Sequence, residues 1–268
     1  MFNISKEQFS IHFIGLLTIV LQLYAIVYLI DNISIDLILT LVVFSLTVGV
    51  MPAIFVHRAW SHRAWKPGKY LNWFGLLMYT FALVGTSIGF VAIHREHHKK
   101  ADQPGDPHSP HLRSRLSIQF WVFTKVKVNW MRNCVDLLRQ ADHVWFAKYY
   151  WYINSLFWGG LFLITPKYFA MLLAFKGFSI IKAHAINSLL HNSPRWILPI
   201  NYNGYGPANS LVFNLLSVGS AESWHKNHHD DPTNWKFGWK WYEFDPGALW
   251  IRLFVYLGWA TVPERKLA

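Results

Sequence analysis

The sequence predicts an all-α integral membrane protein: four transmembrane helices capped by a cytoplasmic helical domain that carries clustered histidines. Three observations predict it. The chain is 53% hydrophobic and only 15% charged, well below the roughly 25% charged residues of soluble domains. It contains apolar runs close to the ~20 residues that span a bilayer as a helix. Its 25 Lys and Arg are unevenly placed: none lies in Asp31–Asp36, whereas fourteen lie in His57–Lys148. That imbalance is the pattern of cytoplasmic loops, and it makes nucleic acid a poor explanation for the net charge of +11. With no polar linker or internal repeat, residues 1–268 read as one domain.

The elements follow in order. Ile11–Ile30 carries no formal charge and predicts a first span over about 9–30. The N-terminal "MFNISKEQFS" lacks a cleavable leader's pattern, so this run is expected to stay as an anchor. Ile35–Val56 has one charge, Asp36, and predicts the second span over 35–56. Leu71–Ile93 is apolar but interrupted by Gly75, Gly85, Gly89, Thr80, Thr86 and Ser87. It predicts an interfacial or re-entrant helix over about 71–93; a plain crossing is the competing reading. Val144–Ile164 predicts the third span over 144–164, Pro166 falls in a turn, and the fourth runs over 168–187. Lys176, Lys182 and His184 fit that last span only if they snorkel or face the bundle. Residues 57–143 and 188–268 then form the cap, with both termini cytoplasmic. Cys134 is the only cysteine, which excludes an intramolecular disulfide.

Nine of the fourteen histidines fall in four groups. They are "HRAWSH" (His57, His62), "HREHH" (His94, His97, His98), "NSLLH" (Asn187, His191) and "HKNHH" (His225, His228, His229). Positions i, i+3 and i+4 share a helical face, so each HxxHH aims three imidazoles one way. His57 and His62 are five apart and need a helix end or local bend to converge. Each group lies at or beyond the end of an apolar segment. If all four build one site, Leu71–Ile93 cannot cross, because a crossing would separate the first two groups. Nine imidazoles exceed the ligand demand of one ion, which implies two. Imidazole alone does not choose among zinc, copper, iron and nickel. His12, His108, His111, His143 and His184 read as ordinary polar residues. Glu96, Glu222, Asp230 and Asp231 are candidates to hold ligand imidazoles through their second nitrogen.

These motifs closely resemble the membrane fatty acyl desaturases, particularly the Δ9 stearoyl-type branch. "HRAWSHR", "HREHH" and "SWHKNHH" match the family's three histidine boxes, and "NSLLH" its Asn-x-x-x-His element. "HHKKADQPGDPHS" resembles the second box with its Asp-Pro-His stretch, and Trp239–Ala260 is similar to the C-terminal helix of bacterial and cyanobacterial members. The resemblance spans nearly the whole chain. It implies a bacterial inner-membrane enzyme that desaturates an acyl chain with O2, two iron ions and two external electrons. The ligands it implies are His57, His62, His94, His97, His98, His191, His225, His228 and His229, with Asn187 holding a water. The electrons would come from a separate ferredoxin or cytochrome b5-type donor. The substrate would be a fatty acyl group on CoA, acyl carrier protein or lipid. There are departures: Ala92-Ile93 replaces the Arg-Asp of the animal acyl-CoA enzymes, Ala221 a glycine, and "NSPRW" follows His191. These leave the iron site intact and the acyl carrier open. The rival readings are an alkyl-chain hydroxylase or acetylenase with the same irons, and a histidine-rich metal transporter.

Overall fold

The protein is described by a computed structural model, covering residues 4–120, 128–217 and 221–263, with side chains from residue 13 onward and without Ala221. His12, read as an ordinary histidine, has its side chain outside the described residues. The chain is mostly helical, and the one sheet among the described residues is a pair of two-residue strands, β1 (Lys66–Pro67) and β2 (Ala260–Thr261), that run antiparallel.

Among the described residues two helices are long and apolar enough to cross a membrane, α1 (Ile4–Asp31, window Phe13–Asp31) and α9 (Pro166–Leu190). They pack along each other. A Cβ on Gly177 would lie 2.1 Å from the Leu21 carbonyl oxygen, so glycine permits the close approach. On its other side α1 leaves Leu16, Val20, Leu23 and Val27 more than half exposed, an apolar face suited to lipid. Pro166 starts α9 at its first turn, where its missing N–H costs nothing.

The predicted second span is not continuous. Helix α2 (Ile35–Leu46) begins at Ser34, whose Oγ accepts the Leu37 N–H at 3.1 Å, and stops after 12 residues. After a short turn the chain continues as a π-helix, Ala53–Ser61, buried from Ile54 onward. The predicted interfacial stretch is likewise two helices, α3 (Lys69–Thr80) and α4 (Ser87–Lys100). The turn between them uses left-handed backbone at Leu83 (φ 57°) and Gly85 (φ 101°), and Thr86 caps α4 by accepting the Gly89 N–H at 3.0 Å. The predicted third span is α7 (Ala141–Lys148) followed by α8 (Tyr150–Ile164), broken at Tyr149.

The remaining helices described are α5 (Arg115–Gln119), α6 (Trp130–Leu138), α10 (Leu211–Leu216), α11 (His225–Asp230) and α12 (Pro246–Tyr256). An aromatic core packs Phe55, Trp60, Trp65, Tyr79 and Phe254 behind the π-helix. The histidine-bearing elements, the π-helix, α4, the end of α9 and α11, meet above this core.

Candidate metal centre

The π-helix answers the spacing problem of the first histidine group. Its i→i+5 pattern, seen in the His62 N–H to His57 carbonyl bond at 3.3 Å, brings residues five apart close to one face. His57 and His62 thereby have ring centroids 5.1 Å apart. Helix α4 presents His94, His97 and His98 from one side. The six-residue α11 presents His225, His228 and His229 from the other, with its first N–H groups held by Asn209 (Lys226 N at 3.0 Å, Asn227 N at 3.2 Å). His191 closes the ring from the C-terminus of α9.

The nine histidines separate into two sets. His57, His62, His94, His98 and His228 form one; His97, His191, His225 and His229 form the other. Within each set the candidate donor atoms lie within 4.8 Å of one another. Ions held by imidazole at about 2.0–2.1 Å place opposite ligands roughly 4.2 Å apart, so each set has the dimensions of one coordination sphere.

The proton inventory points the same way. His57 Nδ1 is committed to Glu222, His97 Nδ1 to both oxygens of Asp106 at 2.9 Å, and His191 Nδ1 to Asp102 at 2.7 Å. A ring that donates through Nδ1 has a bare lone pair at Nε2. Yet His57 Nε2 lies 3.0 Å from His228 Nε2, and His191 Nε2 lies 2.8 Å from His225 Nε2. His228 Nε2 also faces His98 Nε2 at 2.9 Å, and one ring nitrogen has at most one proton to share. His97 Nε2 is buried with no hydrogen-bond partner. Converging lone pairs of this kind are costly unless a cation sits among them. Burial, followed by the neighbouring imidazoles, drives His62, His94, His97, His225, His228 and His229 well below the usual histidine range, and His98 down to about 3. All seven are therefore neutral at pH 7, the ligating form. The residues fit a pair of metal ions.

Of the acids considered from sequence, Glu222 does hold a histidine. Glu96 instead pairs with Lys100 at 2.6 Å and Asn133 at 2.8 Å, and Asp230 pairs with Lys226 at 2.8 Å. Asp231 accepts from Thr233 Oγ1 at 3.0 Å. The acids that sequence reasoning passed over are Asp102 and Asp106, which sit in the turn after α4. Their signal was present: two aspartates four residues apart, the first four residues after His98. Asp102 takes φ 60°, a left-handed conformation aspartate tolerates. Burial pushes Asp102 upward, but the His191 and Ser109 bonds hold it below its usual value; burial pushes Asp106 up to about 6, still ionised at neutral pH.

Two histidines read as ordinary are not. His108 is buried with its ring centroid 4.3 Å from that of His97, and His111 Nε2 lies 2.6 Å from the His191 carbonyl oxygen, where it donates. His97, Asp106 and His108 also cluster, but Asp106 is already spent on His97 Nδ1, which makes it the outer partner of a ligand rather than part of a third ion site. His143 bonds Ser87 Oγ at 2.9 Å and His184 reaches the Gln119 carbonyl at 2.7 Å, outside both sets. Asn187 lines a cavity with His94 and His108. That cavity runs between α1 (Ile14, Thr18), the turn before α4 (Val84) and α4 (Phe90, Ile93), and its walls are largely apolar.

No family model matches the chain. Among curated proteins, the acyl-CoA 5-desaturase AL21 of Anemone leveillei is 30% identical over 234 residues, 81% of this chain and 70% of that protein. A delta-9 desaturase-like 4 protein of Arabidopsis thaliana is 31% identical over 237 residues, 82% and 74% of the two chains. The delta-9 acyl-lipid desaturase 1 of Arabidopsis thaliana is 29% identical over 236 residues, 80% and 70%. With 30–31% identity to desaturases over about four fifths of this chain and more than two thirds of theirs, the chain belongs to the membrane fatty acyl desaturase family and is an oxidoreductase.

Proposed function

We propose that this protein is an O2-dependent acyl desaturase in which two iron ions are held by nine histidines. His57, His62, His94, His98 and His228 would hold one ion. His97, His191, His225 and His229 would hold the other, with Asn187 supporting a water beside it. The observation that carries the reading is the convergence of five and four imidazoles into two spheres. Iron bound there supplies the oxidising power to remove two hydrogens from adjacent methylenes, which offer no acidic proton to a general base.

The chain's own residues do the rest. Asp102, Asp106 and Glu222 fix the tautomers of His191, His97 and His57, so that each turns Nε2 inward. The cavity that reaches His94 and Asn187 would take the alkyl chain, and its apolar walls would exclude water and align the reacting carbons. The Phe90 ring, 5.4 Å from His94 and nearly parallel to it, would press that chain toward the ligands. Ala92 and Ile93 are buried apolar residues, so the acyl carrier is recognised elsewhere; it would be CoA, acyl carrier protein or lipid. The two electrons would come from a separate ferredoxin or cytochrome b5-type protein. The chain would cross the membrane four times with both termini and the centre on the cytoplasmic side.

Mass spectrometry of the fatty acids of a host expressing this chain tests the activity. The expected result is a new acyl species two hydrogens lighter than its parent. A hydroxylated product without any unsaturated one would replace desaturation by hydroxylation. Metal flux without O2 consumption would replace both by transport.

A further inference from the structure

The two histidine sets differ in the charge that stands behind them. Behind the four-histidine set are two buried carboxylates, Asp102 on His191 and Asp106 on His97. Among the described residues neither makes an ion pair with a lysine or arginine. Asp102 otherwise accepts from Ser109 Oγ at 2.6 Å, and Asp106 from the backbone N–H groups of Asp102 (2.8 Å) and His108 (2.9 Å). Behind the five-histidine set Glu222 holds His57 and shares with Asp245 the cation of the fully buried Arg58, whose Nη2 lies 3.4 Å from Glu222, so one of the two negative charges is compensated. Arg58 is itself locked in place by Asp245 at 3.0 Å and by the Phe237 ring 3.8 Å below its guanidinium. A second guanidinium, Arg95, projects from α4 beside His62 and is paired with Asp136 at 2.8 Å.

A carboxylate behind a ligating imidazole makes it a stronger donor, and an uncompensated negative charge in a buried site favours the more highly charged ion. Resting on the two-iron reading above, we propose that Asp102 and Asp106 divide the centre electronically. The iron of the four-histidine set is the harder of the two to reduce. The iron of the five-histidine set is the first to be reduced. Each step moves one electron: the donor protein's one-electron carrier is oxidised as the five-histidine iron(III) becomes iron(II), and a second donor then reduces the four-histidine iron. The electrons therefore enter in a fixed order, set by acids that touch no substrate.

The test is Mössbauer spectroscopy of iron-enriched protein in lipid nanodiscs, poised anaerobically with mediator dyes over a series of potentials. Iron analysis of the same sample comes first: fewer than two ions per chain refutes the two-iron reading itself. With two ions present, two signals should convert separately, their reduced-to-oxidised ratios at least tenfold apart, or about 59 mV for one electron. Asp102→Asn, and independently Asp106→Asn, should bring the harder-to-reduce signal toward the other and leave the easier one in place. Joint conversion of both signals in the unaltered protein overturns the proposal, and so does an Asn variant that moves the easier signal instead. The unaltered protein alone decides if neither variant folds.

Discussion

At the scale of the residue, the centre is a problem of buried charge and proton bookkeeping. Arg58 has no exposed surface, and it is retained because Glu222 and Asp245 both need it. Arg58→Met should leave two buried carboxylates without a cation and cost about 3–5 kcal/mol, read as a large drop in thermal unfolding temperature. An unchanged melting point would show that the pair is solvated in solution. Six of the nine histidines proposed as ligands were legible because the two HxxHH groups carry their own geometry. Glu222 was legible because it lies three residues before a histidine group. Asp102 and Asp106 left only their spacing after His98 as a signal, because their role depends on a left-handed turn at Asp102 that no periodicity reports. His108 was misread for the same reason: only the folded turn lays its ring on His97.

At the scale of the element, the stretches over 9–30 and 168–187 are single helices, whereas those over 35–56, 71–93 and 144–164 are each broken in two. The stretch over 35–56 breaks after Leu46 because the chain must change from a lipid-facing α-helix to a buried π-helix that aims His57 and His62 together. That break was anticipated only as a need for some local bend. Inserting one residue between His57 and His62 should place them six apart, off the shared face of either an α- or a π-helix, and misdirect one imidazole. Iron content measured after purification should fall by about half or more, and full occupancy would show that the π-turn is dispensable. The pairing of α1 with α9 makes a separate prediction. Gly177→Leu places its Cβ within 2.1 Å of a backbone oxygen, so the helices must separate, at a cost of about 1–3 kcal/mol or more. Thermal unfolding in detergent measures it; a neutral result would mean the two helices are not in register as described.

At the scale of the whole molecule, the gathering of four sequence-distant histidine groups dictates the topology. His57 and His62 can meet His94 and His98 only if the 71–93 stretch returns to the side it left, and its division into α3 and α4 with a tight turn allows that. Reporter tags inserted near Lys66 and near Lys100 should label from the same compartment. Labelling from opposite sides would contradict a single centre. The composition had pointed to a membrane protein and the histidine count to two ions, but the division of nine histidines into five and four emerged only from the folded chain. Metal analysis of the purified protein tests that division most directly. The account predicts two irons per chain, falling to one or fewer in His228→Ala; a single ion per chain, or full occupancy by that variant, would contradict it.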